Sequence, residues 1–380
     1  MTCSTILFVC GARGAARPDA RRAAPDRGKS IRWSRPKNRR HILPAAAILS
    51  APALAQQHRR HALALRPLPS SPAPFANVFQ GGAPYHITPA QEAQRVTASP
   101  APAGRWVARA DMPIPRSEMA WATARGGRMQ VGGGHGEGRF NRAFHTVSNP
   151  ETNRWHDAVP LPRGTNHVAV VADAGKVHAM GGSVEQNRVC DDFAFAYDIE
   201  ADRRSEITRI PRPRGAAAAT MLDGKVHLMG SATDPGDERT SIGWQEVQDS
   251  ATNRWERRRP LPAARDQFGC VTFNGRIHVI GGRFNSFHYN TDRHHMYLPA
   301  RDTGERLAPL PTSCSGHGVV IQPDRFFMTG GKSGIIERVV ARDARVLGQR
   351  ESYDPATSTW ASHAPMPTPR HAAPAWCQVA

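Results

Sequence analysis

From residue 105 to residue 380 short apolar runs are joined in pairs by tight-turn residues. Val168-Ala169-Val170-Val171 and Lys176-Val177-His178-Ala179-Met180 lie either side of Gly175. Thr220-Met221-Leu222 and Lys225-Val226-His227-Leu228-Met229 flank Asp223-Gly224, and residues 269–273 and 276–280 flank Asn274-Gly275. Asp-Gly and Asn-Gly between apolar runs predict β-hairpins, because a two-residue turn needs positive φ. His178, His227 and His278 alternate with apolar neighbours, so they share one face of their strands and recur as structural residues. A third strand is predicted to end at Tyr353-Asp354-Pro355-Ala356-Thr357, echoed by Asn149-Pro150-Glu151-Thr152 and Tyr197-Asp198, and a tryptophan opens a fourth.

Three columns give these units their period. The first reads Trp106, Trp155, Arg204, Trp255, Gly304, Trp360, at intervals of 49, 49, 51, 49 and 56 residues. Ten residues after each stand Arg116, Thr165, Arg214, Arg265, Cys314 and Arg370, so the second column repeats those intervals in order. Sixteen residues later comes a diglycine or its relic: Gly132-Gly133, Gly181-Gly182, Gly230-Ser231, Gly281-Gly282 and Gly330-Gly331. A repeat near 50 residues with four strands per unit predicts a propeller or solenoid. The tryptophan is a wedge between neighbouring sheets, where its burial yields most. Pro-rich exits follow it (Pro160-Leu161-Pro162, Pro260-Leu261-Pro262, Pro309-Leu310-Pro311, Pro365-Met366-Pro367), on connections where a ladder N–H is dispensable. The units with Arg204 and Gly304 are expected to pack less tightly.

The diglycine, the Tyr-Asp-x-x-Thr-x-x-Trp of residues 353–360 and the Pro-x-Pro-x-x-Arg of residues 365–370 resemble the kelch repeat. The resemblance covers about residues 105–380. It implies an all-β, six-bladed propeller of four-stranded blades, with one split and incomplete closing blade. A sixth diglycine falls due beyond Ala380, so a truncated closing blade is the preferred expectation. The alternative is that Phe75-Ala76-Asn77-Val78-Phe79-Gln80-Gly81-Gly82 completes it from the N-terminal side.

Composition changes the picture at the N-terminus. With 33 Gly and 32 Pro the chain is no helical bundle, and 39% apolar with 22% charged residues is ordinary for a globular protein. Of the formal net charge of +18, residues 1–66 carry 12, with 14 Lys/Arg against Asp19 and Asp26. The repeat region therefore has no basic stripe of the kind nucleic acid requires, and no nucleic-acid partner is expected. Asn38-Arg39-Arg40-His41-Ile42-Leu43 precedes an apolar run from Pro44 that ends Ala53-Leu54-Ala55. That order of charge, apolar run and small residues predicts a twin-arginine-like export signal cut after Ala55, hence a periplasmic or secreted protein without a mature membrane anchor. The organisation expected is a 1–55 extension and signal, a 56–104 Pro/Ala-rich tail or linker, and a 105–380 propeller. The six cysteines form no C-x-x-C pair, and no metal or cofactor is expected.

In a propeller the innermost strands line the axis, and the second column opens those strands. Arg116, Arg214, Arg265 and Arg370 are thus candidates to converge there as ligand-binding residues, with Asn166, His317 and His371 beside them. Glu118, His167 and Asp266 are the candidate acids and bases. Guanidiniums gathered together repel unless an anion is bound, which points to a carboxylated ligand such as a sugar acid. Recurrence favours the opposite reading, in which each arginine is a structural device paired within its own blade. The chain is read first as a non-catalytic scaffold that binds a protein or an anionic glycan at the funnel. The alternative is an isomerase acting on a carboxylated sugar, similar to periplasmic kelch propellers that epimerise or mutarotate sialic acid. A copper oxidase like galactose oxidase fits poorly, because none of the five tyrosines sits in a His-rich funnel loop.

Overall fold

The computed structural model describes residues 6–9, 105–173, 175–185, 188–233, 240–285, 289–334, 345–372 and 377–378, all within one compact unit. The expected export signal (residues 38–55) and the alternative closing segment (residues 75–82) lie outside the described residues. Five complete blades follow in chain order, each an antiparallel sheet of four strands. Blade 1 is Ala120–Thr123, Met129–Gly132, His145–Asn149 and Arg154–Ala158. Blade 2 is Ala169–Asp173, Lys176–Met180, Ala194–Asp198 and Arg203–Glu206. Blade 3 is Ala218–Leu222, Lys225–Ala232, Ser241–Asp249 and Arg254–Arg258. Blade 4 is Gly269–Phe273, Arg276–Ile280, His294–Leu298 and Thr303–Arg306. Blade 5 is Gly318–Ile321, Phe326–Thr329, Arg350–Asp354 and Thr359–His363. The predicted hairpins form as expected: Leu222 pairs with Lys225 and Phe273 with Arg276, and Asp223, Gly224, Asn274 and Gly275 all have positive φ.

Among the described residues there are five four-stranded blades and not the expected six with a split, incomplete closing one. In its place is a three-stranded sheet, with Ile6–Val9 antiparallel to Arg105–Ala108 on one side and parallel to Cys377–Gln378 on the other. A parallel pair cannot be made by a tight turn, so the middle strand is recruited from far along the chain.

Three interlocks turn these sheets into a ring. At the outer edge each fourth strand clamps the exit of the sheet before it. Trp155 Nε1 donates to Ala110 O at 3.0 Å, and Ala110 N–H donates to Asn153 Oδ1 at 3.0 Å. Trp255 and Asn253 hold Thr208 in the same way, at 3.0 and 3.1 Å. Trp360 Nε1 donates to Ala308 O at 2.9 Å. Blade 2, expected to be loose, keeps the clamp: Arg204 donates to Val159 O at 3.0 Å and Asp202 accepts from Val159 N–H at 3.0 Å. A guanidinium reaches the same carbonyl as an indole. Gly304 has no side chain to offer, and there only the Asp302 half survives, accepting from Arg259 N–H. Trp106 closes the circle by donating across 258 residues of sequence to Ala364 O at 3.3 Å.

The second interlock is the diglycine. In blade 1 it is Gly133-Gly134, not Gly132-Gly133, because a turn at residues 125–127 lengthens the first hairpin by one residue. The second member of each pair donates its N–H to the second-column carbonyl of the next sheet: Gly134 to Thr165, Gly182 to Arg214, Ser231 to Arg265, Gly282 to Cys314 and Gly331 to Arg370, at 2.7–3.1 Å. The first member has φ of 57–68°, and a Cβ on it would strike that same carbonyl. Backbone packed this closely explains why glycine recurs.

The third interlock lies at the axis. His167 N–H donates to Glu118 O, Ala216 to His167, Gln267 to Ala216, Gly316 to Gln267 and Ala372 to Gly316, at 2.8–3.2 Å. All six residues are left-handed, with φ between 47 and 61°. Each stands two places beyond the second column, so six angular positions surround the axis even though five blades are complete.

Candidate functional site

This ring of left-handed residues forms a collar at one end of an axial channel of about 650 Å³. The channel walls are the first strands, with small and apolar residues such as Val170, Ala219, Met221, Cys270 and Val319. Only three collar positions carry polar side chains, and they meet. Glu118 Oε2 lies 3.0 Å from His167 Nε2 and accepts from Gln267 Nε2 at 3.0 Å. Gln267 Nε2 lies 2.7 Å from His167 Nε2. Blades 1 and 4 are thus tied across the axis. On the other carboxylate oxygen, His371 Nε2 stands at 3.6 Å and Lys332 Nζ at 3.9 Å. Asn166 binds the second ring nitrogen of His167 and donates to Asn141 Oδ1 at 2.6 Å. Burial pushes the Glu118 carboxyl up, but His167, His371 and Lys332 outweigh it and hold the group well below the usual carboxylate range. His135, its ring 6.4 Å from that of His167, is shifted down by burial and by His167.

No protein-family model matches the chain. It is similar to beta-scruin of Limulus polyphemus, 31% identical over 120 residues, which is 30% of this chain and 12% of that protein. Kelch-like protein 33 of Homo sapiens is 27% identical over 95 residues, 25% of this chain and 17% of its own length. Kelch-like protein terF of Aspergillus terreus is 26% identical over 121 residues, 32% of this chain and 25% of its own. The matched stretch thus spans no more than a quarter of these relatives. Kelch-named relatives, the repeated diglycine docking and a ring of four-stranded sheets agree. The chain is a β-propeller whose repeats are similar to kelch repeats.

In this propeller the second-column arginines are not among the residues lining the channel. Arg116 turns into blade 1, donating to Val131 O at 3.3 Å and to Thr146 Oγ1. Arg214 is paired with Glu246 on the third strand of blade 3, with both side chains fully buried. Arg265 donates to Gly281 O and Arg293 O at 3.2 and 3.0 Å and contacts His295. Arg370 is half-buried, and its carbonyl accepts from Gly331; it is not among the residues lining the channel. The reason is topological. The second column precedes the collar by two residues, so the side chains of Arg116, Arg214 and Arg265 point into their sheets while the column's carbonyls face the neighbouring diglycine.

Of the candidate acids and bases, Glu118 and His167 meet at the collar, joined by Asn166 and His371. Asp266 does not: it is buried in a rim network, receiving Arg283 Nε at 2.7 Å and Ser241 Oγ at 2.9 Å. His317 lines the channel wall but is buried beside Cys314 Sγ at 3.4 Å, and burial pushes it down to about 3. Gln267 and Lys332 were not among the expected site residues. Gln267 occupies the same repeat position as Glu118 and His167, and Lys332 follows its diglycine directly, so alignment of the repeats carries the signal for both. His178, His227 and His278 are buried between strands; burial lowers all three, the last two to about 4. Among the described residues no group of three His, Cys, Asp or Glu is placed to hold a metal ion. Tyr197 and Tyr297 spend their hydroxyls on Asp202 and Asp302 at 2.9 and 2.7 Å, locking turns.

Proposed function

We propose that this propeller is an exported interaction scaffold that engages a protein partner through the loops joining the second and third strands of its blades. One observation carries the reading. Among the described residues five large apolar side chains are well exposed, and four of them, Phe140, Val189, Tyr289 and Val346, lie on the second-to-third-strand loops of blades 1, 2, 4 and 5. Those loops share one end of the ring, beside the collar, and adjacent ones are tied together. Asn141 donates to Ser183 O at 3.2 Å, Cys190 to Ala232 O at 3.4 Å, and Ser241 N–H to Asn285 Oδ1 at 2.7 Å. Apolar tips on a braced rim suit a protein partner. An anionic glycan would need free guanidiniums, and those of Arg116, Arg214 and Arg265 are engaged inside blades. An epimerase would need Glu118 and His167 to be available, and each is engaged with the other.

The test compares partner capture by the native chain, by a Phe140→Ser/Tyr289→Ser variant and by Ile321→Ser, which alters the exposed apolar residue at the opposite end. A partner retained by the native chain and Ile321→Ser but lost by the loop variant supports the reading; equal capture by all three ends it. The export part rests on the charged-then-apolar order of residues 38–55. Cleavage after Ala55 would remove Ile6–Val9, the middle strand of the closing sheet. N-terminal sequencing of the mature protein shows whether the chain starts at Gln56 or keeps that strand.

A further inference from the structure

The geometry points to the axial collar being a carboxylate-binding site that the chain fills with its own Glu118. The donors come from elements remote in sequence: His167 of the blade 2 entry, Gln267 of the blade 4 entry, Lys332 of blade 5 and His371 of the closing segment. They approach one carboxylate at 3.0, 3.0, 3.9 and 3.6 Å respectively. Such a convergence of charge-capable and amide donors on two oxygens is the donor set used to recognise carboxylates. Three of the groups are largely shielded, the side chains of His167, Lys332 and Glu118 being 8%, 11% and 14% exposed, while His371 is 31% exposed, so the shielded contacts count for more than on an open surface.

The other collar residues leave room for it. Ala216, Gly316 and Ala372 put no long side chain toward the axis, and the collar backbone bonds do not depend on what residue 118 carries beyond its peptide. Glu118 also sits at φ 51°, a conformation glycine adopts more readily. Removing the side chain by Glu118→Gly therefore vacates the carboxylate position without forcing the backbone elsewhere. In the native chain a carboxylate ligand reaches these donors only by displacing Glu118, so free carboxylates leave the native protein unchanged.

The experiment is thermal unfolding of three full-length proteins, native, Glu118→Gly and Glu118→Gln, in sodium formate, sodium acetate or sodium chloride at equal ionic strength. Glu118→Gly is expected to lose Tm in chloride and to regain it saturably in formate and acetate. The gain should be about 3 °C for each tenfold excess over the dissociation constant. Native protein and Glu118→Gln, whose amide still fills the space, should respond to carboxylates no more than to chloride. The proposal is overturned if Glu118→Gly gains nothing beyond the chloride control, or if Glu118→Gln gains as much. If Glu118→Gly does not fold in chloride, folded yield after refolding with and without formate decides instead. Recovery with formate supports the site, and equal failure in both salts overturns it.

Discussion

Blades 3 and 5 follow the same strand plan and hold the same repeat positions, yet they are built on opposite chemistry. In blade 3 the second-column Arg214 is ion-paired with Glu246, which also receives Arg212 at 2.7 Å, and Trp244 covers the pair with the Arg212 guanidinium 3.6 Å from its ring. In blade 5 the arginine position is Cys314, and the carboxylate facing it, Glu351, is 3% exposed with no cation paired to it among the described residues. Only Thr312 reaches one of its oxygens, while the other is buried without a hydrogen bond. Burial pushes the Glu351 carboxyl up, with Thr312 a smaller opposing influence. Blade 5 is held instead by aromatics. Phe326 stacks on Tyr353 at 5.2 Å, and Tyr353 meets Trp360 at 5.1 Å and His294 at 4.5 Å. In blade 3 the position of Tyr353 is Gln248 and the tryptophan is only half-buried. The repeat fixes where a side chain stands, and its partner decides whether that place is held by charge or by packing.

The largest effect that would break this contrast is Trp360→Ala. It empties a fully buried site and removes the bond to Ala308 O, and it should cost about 3–5 kcal/mol in chemical denaturation. A loss near that of an exposed tryptophan would contradict the packing account of blade 5. Next comes Glu246→Gln, which leaves Arg214 buried without its counter-charge and should cost about 2–4 kcal/mol. Glu351→Gln, by contrast, should be neutral or gain about 1 kcal/mol, since it deletes a buried charge and keeps an acceptor for Thr312. Comparable losses from the two substitutions would erase the distinction between the blades.

The smallest effect separates the two buried carboxylates by pH. Glu351 is raised, so its ionisation costs stability, and the advantage of Glu351→Gln should grow as pH rises above the ordinary glutamate range. Glu118 is lowered, so its stabilisation is complete above that range and fades as pH falls toward its depressed value. The deficit of Glu118→Gln should shrink in acid accordingly. Stability curves of the two variants against native protein with the same slope sign would refute the assignment.

Much of the fold was legible because its signals are local. Asp-Gly and Asn-Gly dictated hairpins, and the period of the tryptophan, arginine and glycine columns dictated the ring. The closing sheet was not legible, because its middle strand, Ile6–Val9, pairs with partners about 100 and 370 residues away and carries no repeat signature. The collar was half legible. Glu118, His167 and His371 were named as candidates, but the arginines were expected beside them, because sequence spacing places a residue on a strand without telling which way its side chain leaves the sheet. Gln267 was hidden by being an amide, a residue type that draws no notice until its carboxylate partner across the axis is seen. Arg204 shows the converse: the column reads as a lost tryptophan, while the guanidinium keeps the interblade bond.

A crystal structure of the full-length chain that resolves side chains tests the central claim most directly. The account predicts five four-stranded blades, the Trp106 indole donating to Ala364 O at the closing seam, and Glu118 held across the axis by His167 and Gln267. An open seam with Trp106 away from blade 5, or Glu118 turned out of the collar toward solvent, would contradict it.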